Sequence, residues 1–154
     1  MWRCLHGSLP TAEVLGSRGL IIDPVYKICS REIESIENLF KGCEFAHNFW
    51  QQLQVPICTS SSFALPFKEW METNCRDLTN ATVNGIPWKI IFPLGIWQLW
   101  LHRNNYVFRT GTVDNQCWKK SLRHSAEFYV IGLEARIRPS KTIVLVGWEE
   151  PPRG

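Results

Sequence analysis

Apolar residues recur at helical spacing over most of this chain, and polar, glycine or proline stretches separate the runs. Thr11 stands ahead of Ala12–Ser17 with Gly19 behind it, the signature of a short capped helix. Leu20-Ile21-Ile22 followed by Asp23-Pro24 predicts an extended piece and a turn. Ile33, Ile36 and Phe40 share a helical face, with Leu39 beside it, and Gly42 should end that helix. Residues 44–53 predict another helix that packs through Phe45, Phe49 and Trp50 and stops by Pro56. Residues 59–62 read as a polar loop. Residues 65–75 read as a helix carrying Phe67, Trp70 and Met71, and residues 79–85 as a polar linker.

Residues 88–109 predict the longest helix, which Pro93 should kink or break near its start. Its apolar opening, WKIIFPLGIWQLWL, is shorter than the ~20 residues a bilayer span needs. Lys89, Pro93, Gly95 and Gln98 interrupt it, so it reads as a buried core helix, with no membrane partner. Thr110-Gly111-Thr112 should turn the chain, and Thr112 or Asp114 should cap a helix reaching about Leu133 through Trp118, Leu122, Phe128 and Tyr129. Ile143-Val144-Leu145-Val146 predicts one short strand. The expected fold is mainly α. A small helical domain covers residues 1–56, a helix and polar linker residues 57–87, a helical hairpin residues 88–138, and a C-terminal strand and tail residues 139–154. Two apolar clusters are expected, one of Leu39, Phe45, Phe49 and Trp50, the other of Ile96, Trp100, Trp118 and Leu122.

Composition narrows the class. With 154 residues, 45% of them hydrophobic and 20% charged, the chain reads as one globular domain, or one domain plus appendages, not as a disordered chain. The net charge of +3 is too small to signal nucleic-acid binding by itself. Its distribution is uneven: residues 1–87 hold seven Lys/Arg against nine Asp/Glu, residues 88–154 ten against five. Six cysteines are present, and the N-terminus has no signal-peptide pattern. An intracellular, reducing setting is therefore expected, nucleus or cytoplasm undetermined, with thiols free or metal-bound.

Catalytic chemistry finds little support. Two-metal phosphoryl transfer needs clustered carboxylates, but the three aspartates, Asp23, Asp77 and Asp114, fall in separate segments. No phosphate-cradling loop or nucleophile elbow is present, and no local signature marks a cysteine nucleophile. The chain does not read as an enzyme. Metal binding has one candidate frame. Cys29 and Cys43 flank a helix with thirteen residues between them, and His47 follows one turn after Cys43. A tetrahedral zinc site wants four Cys or His ligands. Tyr26 holds the position three before Cys29 where a knuckle has another Cys, and Asn38 the helix position where a His is expected. Cys4 or His6 would be a distant fourth. The plainer reading makes both cysteines small buried apolar residues. For nucleic acid, Arg103, Arg109, Lys119, Lys120 and Arg123 interleave with aromatics. The same cations also fit a solvated surface and helix C-termini.

Several segments carry a family resemblance. Trp2-Arg3-Cys4-Leu5, Leu9-Pro10-Thr11 and Arg18-Gly19, then Cys29, Ile33-Glu34-Ser35, Leu39-Phe40, Cys43, Phe45-Ala46 and Trp50, resemble the reverse-transcriptase zinc-binding domain of plant non-LTR retrotransposon polyproteins. The resemblance implies a zinc site of two Cys, a His and a Cys. Cys29 and Cys43 match its second and last members, while Tyr26 and Asn38 replace the other two, a degenerate knuckle. Ile96-Trp97, Trp100, Arg103-Asn104, Val107-Phe108 and Trp148 with Pro151-Pro152 resemble the linker that precedes a ribonuclease H-like domain. The implied function is a non-catalytic, truncated polyprotein fragment with weak RNA or DNA binding and no cofactor, zinc belonging to intact family members. The alternative is a repurposed helical module that binds protein.

Overall fold

The computed structural model describes Cys4, residues 6–76 and residues 82–137. The fold is mainly α, as the periodicity predicts. Helix α1 is Ala12–Ser17, and the Thr11 side chain accepts the Val14 N–H at 3.4 Å. Helix α2, Glu44–Gln52, ends before Pro56 because Gln54 turns left-handed at φ 56°. Helix α3, Ile57–Ser60, and a 3₁₀ turn, Ser61–Ala64, replace the expected loop. Their hydroxyls satisfy local carbonyls: Thr59 donates to Pro56 O at 2.9 Å and Ser60 to Ile57 O at 2.7 Å. Helix α4 is Phe67–Arg76, helix α5 Trp88–Asn105 and helix α6 Cys117–Ile137.

Other expectations are corrected by the structure. The helix through Ile33 is shorter than its spacing suggests. Ile33 pairs with Val25 in a β-bridge, and the following turn, Asn38–Gly42, is a π-helix closed by Cys43 N–H to Asn38 O at 3.1 Å. Part of the supposed linker is a hairpin, β1 Thr82–Val83 paired antiparallel with β2 Ile86–Pro87. Asn84 and Gly85 make its turn, both at positive φ, which suits the right-handed strand twist. Phe128, expected in the core, is exposed. Pro93 leaves α5 continuous. A second π turn, Tyr106–Thr110, ends at Gly111 in the left-handed region. The predicted strand at residues 143–146 and the tail lie outside the described residues.

The two expected apolar clusters are one. Leu39, Phe49, Trp50 and Ile96 belong to a single buried set, with Phe45, Trp100, Trp118 and Leu122 packed against it. Residues from the knuckle segment, α4, the hairpin and α5 all contribute to it.

Trp50 is the centre of this core. Its ring stacks on Phe92 at 5.2 Å and meets Phe49, Phe63, Trp70 and Trp88 edge-on. Its indole N–H donates to Phe40 O at 2.8 Å. The outer edge of the ring lies against α5 where residue 95 is glycine. A Cβ there would come within 2.7 Å of Trp50 Cη2 and 2.8 Å of Cζ3. Below this cage, Asn74 closes a buried polar knot. Its amide donates to Ser62 Oγ at 2.9 Å and Trp70 O at 2.8 Å, and its Oδ1 accepts from Trp88 Nε1 at 2.9 Å.

Gly95→Ala tests this packing. Alanine improves helix propensity by about 1 kcal/mol, but overpacking a filled core costs about 1–3 kcal/mol. The expected result is a lower urea midpoint with an unchanged slope. A midpoint equal to or above that of the parent chain contradicts the role given to Gly95.

Candidate metal centre

The segment between α1 and α2 gathers the residues that the zinc frame singles out. The Val25–Ile33 bridge folds Tyr26 inward, and Tyr26 is buried. Cys29 sits on the turn that follows, its thiol donating to Tyr26 O at 3.8 Å. Asn38 opens the π turn, so its side chain reaches back across it: Nδ2 donates to Ile33 O at 3.1 Å and to Cys29 Sγ at 3.6 Å. Cys43 is the N-cap of α2, and its sulfur accepts the Ala46 N–H at 3.3 Å. Cys29 and Cys43 are close enough that charge on Cys29 disfavours charge on Cys43. The fold therefore brings Tyr26, Cys29, Asn38 and Cys43 to one place.

The donor set does not fit zinc. Burial, and then the Cys43 thiol, push the Tyr26 phenol far above its ordinary value, so it stays neutral. Burial also raises Cys43. The Asn38 amide turns its donor side to Cys29, as a hydrogen-bonding group and not as a ligand. Its Oδ1 has no partner among the described residues and is held 3.4 Å from where a Gly42 Cβ would stand. His47 does not join the cluster. Its ring lies 6.5 Å from that of Phe63, beside α3 and the 3₁₀ turn. Among the described residues no three His, Cys, Asp or Glu side chains converge to hold a metal. Cys4 is buried in the core, away from this use.

A buried ion pair ties the cluster to the rest of the fold. Arg103 Nε donates to Glu34 Oε1 at 2.5 Å, and both side chains are only 5% exposed. The Arg103 guanidinium also lies 5.3 Å over the Trp100 ring and 5.6 Å over Phe108. Sequence reasoning gave Arg103 a place on a nucleic-acid surface; its burial removes it from one. The other four cations are exposed. Lys120 bonds Asp114 at 2.8 Å and Arg123 lies 3.7 Å from Glu127. Lys119 sits over Trp118 at 5.6 Å and donates to Gln116 Oε1 at 3.1 Å, with no carboxylate on it among the described residues. His102, one residue before Arg103, was missed as a structural residue. It is buried, stacks on Phe45 at 4.5 Å, and accepts the Asp114 N–H on Nε2 at 2.8 Å. Burial lowers its pKa, and a neutral ring is what accepting through Nε2 requires.

Residues 1–50 match the family described as zinc-binding in reverse transcriptase. No curated protein and no solved structure matches the chain. The matched segment ends on Trp50, the residue at the centre of the core.

Two outcomes are expected. The purified chain should hold no stoichiometric zinc by elemental analysis, and Tyr26→Cys with Asn38→His should create tight binding and raise the melting temperature only when zinc is added. One zinc per unmodified chain contradicts the donor-set argument. For the ion pair, Arg103→Leu alone should destabilise by about 3–5 kcal/mol, because Glu34 is left buried and unpaired. Adding Glu34→Leu should recover most of that loss in denaturant titrations. A double variant as unstable as the single one shows that Arg103 acts through its aromatic stacking instead.

Proposed function

We propose that this chain is a non-catalytic segment of a plant-type non-LTR retrotransposon polyprotein, a connector that holds RNA or DNA weakly between polymerase and ribonuclease H-like portions. The match of residues 1–50 to the reverse-transcriptase zinc-binding family carries this reading. The shared core supports it further, because the matched segment packs as one body with α5 and α6, which bear the basic residues. The non-catalytic part rests on the carboxylates. Asp23 is taken by Lys27, Glu34 by Arg103, Glu37 by Lys41 and Asp114 by Lys120, each in its own ion pair. The cluster around Cys29 and Cys43 then serves as a metal-free staple of the knuckle. Among the described residues no helix is long and apolar enough to cross a membrane.

A second reading, a helical module that binds another protein, has its own observation. Phe128 and Ile131 stand three residues apart on α6 and are 63% and 65% exposed.

Fluorescence anisotropy with a labelled single strand across a salt series separates the two. Each lost phosphate contact should flatten the slope of log affinity against log salt by about 0.7 for a single strand. Lys119→Ala and Arg109→Ala should each do so, while Lys120→Ala, whose cation is engaged by Asp114, should change the slope less. An absence of binding even at low salt, near 50 mM, removes the nucleic-acid reading and leaves the protein-binding one.

A further inference from the structure

A groove of about 440 Å³ runs between α2 and the start of α6, apart from the Cys29–Cys43 cluster. Phe45 and Trp118 give it aromatic walls, and four carboxamides edge it: Asn48, Gln52, Asn115 and Gln116. Asn48 and Gln52 are four residues apart on α2, so they stand on one face of that helix. Gln116 is held by Lys119, whose ammonium also lies over the Trp118 ring at the rim. The side chains of Asn48, Gln52 and Asn115 have no hydrogen-bond partner among the described residues. Among the described residues no carboxylate lines the groove. The two adjacent to it in sequence are engaged elsewhere: Glu44 pairs with Arg31, and Asp114 with Lys120 and the Gln116 N–H.

These groups have a common complement. A carboxamide presents a donor and an acceptor side by side, the pattern that pairs with a base edge. An aromatic wall offers a stacking face to any base, and a cation at the rim suits the phosphate that follows. A base inside a duplex offers neither its face nor its Watson–Crick edge, so only an unpaired one can use all three. We propose that this groove takes one unpaired nucleobase of a single strand, stacked on Trp118, read by the amides of Asn48 and Gln52, with its phosphate at Lys119. The inference rests on the nucleic-acid reading above and assigns that reading its contact site.

The test compares three probes on the unmodified chain at one fixed salt concentration: a single-stranded oligonucleotide of about 10 nucleotides, a strand of equal length without bases, and a duplex of that length. The base-bearing strand should bind about tenfold tighter than the baseless one, the size of one aromatic–base stack, and tighter than the duplex. Asn48→Ala with Gln52→Ala changes only exposed side chains and should remove most of that preference, with circular dichroism unchanged; Trp118→Ala should do the same. Salt-dependent binding that is equal for strands with and without bases overturns the groove and leaves the connector function standing. Equal or tighter duplex binding does likewise. Absence of binding to all three probes overturns both.

Discussion

Trp50 fits where it does only because residue 95 has no side chain. The largest side chain type is placed where three segments meet, and each contributes something different to holding it. The π turn supplies the carbonyl of Phe40 for the indole N–H, α4 supplies Trp70, and α5 supplies Phe92 together with the bare backbone at Gly95. Aromatic edges and faces alternate around the ring, the arrangement their quadrupoles favour. The close approach of α5 to α2 follows from this contact. Asn74 extends the same constraint downward, since its amide orients the Trp88 ring that borders Trp50.

The knuckle segment illustrates how a ligand site can persist as a shape after its ligands change. Tyr26 and Asn38 take their places by burial and hydrogen bonding: the phenol fills the interior and the amide bridges Ile33 to Cys29. Both sulfurs accept an N–H, Cys29 from Asn38 and Cys43 from Ala46, so each thiol is satisfied within the chain. The Glu34–Arg103 pair adds a tie across 69 residues of sequence. It contributes less to net stability than to placement, because desolvation offsets much of its Coulomb energy.

Local chemistry made much of this fold legible. The Thr11 cap, the apolar face of α2 and the spacing of Phe67, Trp70 and Met71 each name a helix that forms. The Asn84-Gly85 turn was legible too, as a strong hairpin signal between two β-formers, but a polar setting hid it. Other features depend on partners far away in sequence. Nothing near Arg103 marks it as buried, since its acid lies on another segment and a cation near a helix end looks solvated. Phe128 fits the helical repeat of α6, yet it stays exposed because no described element covers that face. The π turn at Asn38–Gly42 has no propensity signal at all, and it decides where Asn38 and Cys43 point. The candidate site was thus visible as a set of residues, whereas its internal bonding and the groove beside it emerge only from tertiary packing.

The core's layout also bears on modularity. The family match stops at Trp50, yet Trp50 is enclosed by Phe63, Trp70, Trp88 and Phe92, all beyond that point. The Glu34 counter-charge likewise sits on α5. The end of the family match and the boundary of the packed core therefore do not coincide. Cutting after the matched segment would strand an indole and a carboxylate in water-accessible positions for which the segment has no substitutes of its own. The aromatic cage spans the border of the match, so a cut there would separate segments that pack as one core.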